Sequence, residues 1–146
     1  MTQAIQDFIE SKRLALIGVS RDEKKFSRMA YKELKARGYQ VYAVNPAVDQ
    51  IDGEPCYPDL MPLREKIDGV LVAVSSGQVL QVLRQAAEIG VKNVWLQQQT
   101  ESPEAISLGQ QLGLNLVSGK CILMYAPPIR SYHAWHRGFM RVIGRL

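Results

Sequence analysis

A doubly wound, mostly parallel α/β sheet in a single domain is the architecture that this 146-residue sequence predicts. Three observations predict it. Short apolar runs alternate with amphipathic stretches along the chain, the rhythm of strand, helix, strand. One run, Val70-Leu-Val-Ala-Val74, is apolar without interruption, as a central parallel strand covered on both faces must be. The helical stretches open on Ser or Pro and close on Gly, so their ends are marked.

Taken in order, residues 3–12 read as a short amphipathic helix with Ile5, Phe8 and Ile9 on one face. A first strand covers 14–19. The next helix is expected to start with Ser27 as N-cap and Phe26 stapled against Tyr31, to bury Ala30 and Leu34, and to end at Gly38. A second strand is 41–45. The Pro-, Gly- and Asp-rich loop from Pro46 to Pro62 has room for a short edge strand near Cys56-Tyr57. After Val70–Val74, Ser75-Ser76 caps a helix with Val79, Leu80, Leu83 and Ala87 inward and Gly90 at its end. Strand 93–96, a loop 97–100, a helix from Ser102-Pro103 to Gly113 and a last strand 114–117 complete the pattern.

Composition narrows the class. Apolar residues make up 47% and charged residues 22%, ordinary for a soluble globular chain. No apolar run approaches the roughly 20 residues of a membrane span. Asp7, Glu10, Lys12 and Arg13 interrupt any signal-peptide core. Cys56 and Cys121 lie far apart, so two reduced thiols in the cytoplasm are expected rather than a disulfide. The net charge of +4 is uneven: residues 120–146 carry five bases and no acid, leaving a near-neutral body. This is not the composition of a dedicated nucleic-acid binder.

The chemistry is concentrated in Leu14-Ala-Leu-Ile-Gly18-Val19-Ser20-Arg21, the loop through Lys25, and Phe26-Ser27. A buried strand running through glycine into a polar loop and a helix offers free N–H groups and a positive dipole end to a phosphate. The unit departs from the dinucleotide fingerprint G-x-G-x-x-G, because Ser20 and Glu23 stand where glycines belong. Asn45-Pro46 closes the second strand where an acidic ribose clamp would sit. A nucleotide other than NAD is therefore expected. Arg21, Lys24, Lys25 and Arg28 against Asp22 and Glu23 leave the loop a net +2 for an anionic ligand. Ser75 and Gln97 end up at the same edge of the sheet and join the candidate site.

Gly18-Val19-Ser20, the basic loop to Phe26-Ser27, Asn45-Pro46, Tyr57-Pro58-Asp59-Leu60, Val94-Trp95-Leu96-Gln97 and Lys120-Cys121 occur in an order that resembles the small single-domain CoA-binding proteins. Those are similar to the N-terminal CoA-binding domain of the succinyl-CoA synthetase alpha subunit. The resemblance covers roughly residues 10–125. It implies a Rossmann-like domain holding coenzyme A, or an acyl-CoA, at the carboxyl ends of the strands. It also implies no ligase activity, because the synthetase's phosphorylatable histidine belongs to a later domain with no counterpart in this sequence. CoA is expected to bind more tightly than dephospho-CoA or NAD.

Two other readings stay open: an NAD(H)-binding oxidoreductase or NAD-responsive regulator, and an interaction protein with an empty nucleotide crevice. Residues 126–146 read as a basic amphipathic appendage. If helical, Tyr132, Trp135, Phe139 and Ile143 share a face that packs on its own domain or on a homodimer mate. His133 and His136 have no accompanying carboxylate or cysteine in the tail, so no metal site is expected there.

Overall fold

The computed structural model describes residues 2–74 and 76–128. The expected tail helix, His133, His136 and Ser75 lie outside the described residues. Helix α1 spans Gln3–Ile9, shorter than expected, with the Thr2 hydroxyl capping it by accepting from the Ile5 N–H. Strand β1 (Arg13–Ile17) leads through a loop to α2 (Phe26–Ala36) and β2 (Gln40–Val44). A small hairpin follows, β3 (Gln50–Ile51) and β4 (Glu54–Tyr57), then β5 (Gly69–Val72), α3 (Ser76–Glu88), β6 (Asn93–Gln97), α4 (Pro103–Gln111) and β7 (Asn115–Lys120).

Among the described residues seven strands form one sheet in the order β3-β4-β2-β1-β5-β6-β7. Every pair is parallel except β3 with β4. The chain starts in the middle, winds out to β2 and β4, then returns to β5 and winds the other way. The strand order reverses between β1 and β5, the place where open α/β sheets bind ligands. The expected α/β Rossmann-like class is the fold observed.

Alternation along the strands divides the core in two. Leu14, Leu16, Val41, Ala43, Leu71 and Trp95 face α1 and α2. Ala15, Ile17, Val70, Val72, Val94 and Leu96 face α3 and α4. Trp95 is fully buried between Phe8 and Tyr125, with ring centroids 5.3 and 5.7 Å away, and its indole N–H donates to the Lys120 carbonyl at 2.9 Å. Arg37, the C-cap of α2, donates to the carbonyls of Leu123 and Ala126, so the packing of the body continues through Ala126.

Three expectations are corrected. Strands β1 and β5 stop at Ile17 and Val72, short of positions 19 and 74, because Gly18 turns the chain with φ +91°. The segment near Cys56-Tyr57 is no edge strand: β4 lies between β2 and β3. Asp52-Gly53, with φ +52° and +79°, makes the tight hairpin turn that an Asp-Gly pair favours. The buried face of α3 is Val79, Val82, Leu83 and Ala86, with Leu80 and Ala87 only partly covered.

Arg13 grips Asp68 with both ends of its guanidinium fork, at 3.0 and 2.8 Å, tying the starts of β1 and β5 together. These bonds hold the Asp68 carboxyl below its ordinary value of 3.8. A depressed carboxylate stabilises the fold above its unfolded pKa, and that contribution is lost as pH falls through the folded pKa. The stability difference between wild type and Asp68→Asn should therefore shrink from about pH 5 to about pH 3. Urea titrations across that range check it. The effect is small, because both side chains remain about 40% exposed.

Candidate functional site

The carboxyl ends of the central strands carry the site. At the end of β1, the Gly18 N–H donates to the Val44 carbonyl at 2.7 Å, clamping the turn to β2. A Cβ on Gly18 would lie 2.5 Å from Val74 Cγ1 and 3.1 Å from the Ala73 oxygen, so only glycine fits. The following loop is built on side-chain turns. The Ser20 hydroxyl accepts from the Asp22 N–H, and the Asp22 carboxylate accepts from the Lys24 N–H, each at 3.0 Å.

Ser27 is not the N-cap. Helix α2 begins at Phe26 with Lys25 in the cap position, and no side chain caps it. The Ser27 hydroxyl instead accepts from the Ser20 N–H at 3.1 Å, latching the loop to the helix. A serine cap must take an N–H further along its own helix, and this one is occupied by the loop. The Arg28 N–H donates to the Lys25 carbonyl at 3.1 Å, and the N–H groups of Phe26 and Ser27 are left for another acceptor.

Asn45 is also structural. Its amide nitrogen donates to the Val19 carbonyl at 2.9 Å, and its oxygen accepts from the Ala47 N–H at 2.9 Å. Both ends brace the exit of β2 against the loop after β1. Arg28 departs from the expected cationic loop: it donates to the Arg21 carbonyl and pairs with Asp52 in the hairpin turn, with Glu23 at 3.9 Å. Its charge is balanced inside the fold. That removes one of the four cations assigned to the loop.

Two clefts open along this edge and meet at Gly18 and Ala73. The first, of about 710 Å³, has an apolar floor of Ile17, Val44 and Val82. Pro46 and Pro58 form its walls, and Asn45, Asp59 and the amides of Gln78, Gln81 and Gln85 line it as well. The second, of about 570 Å³, is lined by Ser20, Lys25, Phe26 and Ser27 on one side and by Gln97, Thr100 and Cys121 on the other. The sequence-predicted residues Gly18, Ser20, Lys25, Phe26, Ser27, Asn45, Pro46 and Gln97 are thus brought to two adjoining clefts. Val19 is fully buried, and Arg21 is exposed; neither lines a cleft.

Ala73, Thr100 and the glutamines of α3 were not among the expected site residues, and Cys121 entered only through the resemblance. The spacing of Gln78, Gln81 and Gln85 was a readable signal, since i, i+3 and i+7 fall on one helical face. Cys56 lies outside both clefts. Its thiol faces the Asn45 carbonyl at 3.7 Å, and burial pushes its pKa up. Both cysteines are free thiols. Among the described residues no helix is long and apolar enough to cross a membrane, and no cluster of His, Cys, Asp and Glu could hold a metal ion.

A family model described as a CoA binding domain matches residues 12–127. The chain belongs to the CoA-binding domain family. It is 30% identical over 112 residues to the uncharacterized protein YneT of Bacillus subtilis, covering 77% of this chain and 83% of that one. It is 25% identical over 126 residues to the ADP-forming acetate–CoA ligase II subunit alpha of Pyrococcus furiosus, covering 79% of this chain but 28% of the ligase subunit. The chain thus spans little more than a quarter of that relative. Among solved structures, a hypothetical protein from Pyrococcus horikoshii superimposes with a TM-score of 0.80 at 30% identity, over 86% of this chain and 89% of the other.

Proposed function

We propose that this chain binds coenzyme A or an acyl-CoA across the two clefts, as a cytoplasmic binding module rather than a ligase. The observation that carries the reading is the uncapped start of α2 beside Lys25, opening into a cleft that joins an apolar, amide-rimmed one at Gly18. A pyrophosphate is the natural acceptor for first-turn N–H groups and a lysine. The first cleft suits a flat base: prolines and valines offer its faces apolar contact, and glutamine amides read its edge. Asn45 supports CoA over NAD, because it stands where a ribose diol would need a carboxylate, and its amide is held by Val19 and Ala47. The ligase chemistry of the long relatives is not carried over, since the match covers only a fraction of them.

A thermal-shift series with CoA, acetyl-CoA, NAD(H) and ATP tests the reading. A ligand at about 100 times its dissociation constant stabilises by about 2.7 kcal/mol, a shift of several degrees. Stabilisation by CoA or acetyl-CoA well above that by NAD(H) is expected. Tighter NAD(H) binding would overturn the assignment, and no shift with any of the four would favour an interaction protein. Titration with CoA and dephospho-CoA then asks whether the 3′-phosphate is read. With Arg28 paired to Asp52, that preference rests on Lys25 and the exposed Arg21 and Lys24.

A further inference from the structure

Among the described residues only two large apolar side chains stand exposed, Met29 at 51% and Met124 at 80%. They lie on the same side of the sheet. Met29, Glu33 and Arg37 follow one another at i, i+4 and i+8, so they form one stripe along α2. Arg37, at the end of that stripe, donates to Glu33 at 2.9 Å and to the carbonyls of Leu123 at 2.9 Å and Ala126 at 2.8 Å. The stripe therefore borders the single turn Ile122–Met124, in which Ile122 is buried and Met124 is turned outward. Phe26, Leu123 and Tyr125 are half-buried and pack against the same half of the core.

The rest of the chain leaves from the edge of this strip. Ala126 is buried and its carbonyl is held by Arg37, and residues 129–146 follow two positions on. At 3.6 residues per turn, Arg130, Arg137, Arg141 and Arg145 fall within about 80° of one another. Tyr132, Trp135, Phe139, Val142, Ile143 and Leu146 fall within about 100° on the opposite side, an apolar face that needs a partner. As a helix, 130–146 measures about 25 Å against about 16 Å for α2, enough to return along the whole stripe. The register fits as well. Phe139 lies about 14 Å along such a helix from Arg130, and Met29 lies about 12 Å along α2 from Arg37. Tethering favours this occupant over others: the segment meets the strip at an effective concentration on the order of mM, which no second copy or lipid surface in dilute solution matches.

We propose that residues 129–146 dock as an amphipathic helix on their own domain, running back along α2. Trp135 then covers Met124, Phe139 covers Met29, and the four arginines face outward. The docked segment ends beside Phe26, which lines the second cleft, and carries its positive charge along that flank.

The full chain is treated with trypsin and followed by intact mass, with a synthetic peptide of residues 129–146 as the unprotected reference. Cleavage after Arg137 and Arg141 should be about tenfold slower in the chain than in the peptide, because protection tracks the undocked fraction. Met29→Ser combined with Met124→Ser removes the strip from positions exposed in the body, so circular dichroism should show an intact fold. Tail cleavage in that variant should speed up about fivefold or more. Phe139→Ser should do the same from the other partner, and the triple variant should be no faster than the faster of the two. Wild-type cleavage at the peptide's rate, or protection unchanged in the Met29/Met124 variant, would overturn the docking. Protection that rises with protein concentration alongside a dimer mass by light scattering would put a second copy on the strip and overturn it too. Protection that appears only with phosphatidylserine-containing vesicles would assign the apolar face to lipid, with the same consequence.

Discussion

Gly18→Asp should leave a folded chain that melts about 10 °C lower and binds CoA at least about 30-fold more weakly. The stability loss has two sources. A non-glycine residue at φ +91° costs about 1–2 kcal/mol, and crowding against Val74 and the Ala73 carbonyl adds about 1–3 kcal/mol. The affinity loss comes from a carboxylate placed where both clefts meet. Coulomb repulsion from a phosphate at about 4 Å is about 4 kcal/mol at an effective dielectric of 20, and half of that after screening still gives about 30-fold. The double variant with Val74→Ala separates the two effects. Removing the methyl that the new Cβ meets at 2.5 Å should recover part of the melting temperature without recovering affinity, measured against Val74→Ala alone. A folded Gly18→Asp chain with wild-type affinity would place the ligand away from this turn.

Trp95→Ala should be the most damaging core substitution, costing about 3–5 kcal/mol by urea denaturation. The indole is fully buried and joins three elements: Phe8 of α1, β6 itself, and Tyr125 beyond β7. Its N–H also holds the Lys120 carbonyl, one residue before Cys121. Trp95→Phe keeps most of the apolar volume and loses that hydrogen bond, so it should cost about 1–2 kcal/mol. Because the Cys121 wall of the second cleft is hung from Lys120 and from Gln97, Trp95→Phe should also weaken acetyl-CoA binding. Unchanged affinity in a destabilised Trp95→Phe chain would show that the wall is held by Gln97 alone.

The fold was legible where local patterning is sufficient. The apolar runs at 14–17, 41–44, 70–72 and 93–96 are buried strands, and Ser102-Pro103 caps α4 as its residue types require. The α3 face shows the limit. Val79, Leu80, Leu83 and Ala87 and the observed Val79, Val82, Leu83 and Ala86 both satisfy helical spacing, and only the sheet beneath decides between them. The hairpin of β3 and β4 was readable from Asp52-Gly53 but was hidden inside a loop rich in turn residues.

The sequence by itself determined that an α/β sheet opens on a glycine turn and a basic loop, and that an acidic ribose clamp is missing at Asn45-Pro46. Those features depend on residue type and spacing, which the chain carries along its length. Only the tertiary structure decided how polar groups are spent. Ser27 serves the loop and not its helix, Arg28 is neutralised by Asp52 from a hairpin 24 residues away, and Asn45 braces the Val19 carbonyl. It also decided that Gln97 and Cys121 share a wall, because the parallel pairing of β6 with β7 brings together residues 24 positions apart. Hydrogen-bond partners are claimed by whatever group arrives first in space, and arrival in space is set by the sheet order, which no local pattern encodes.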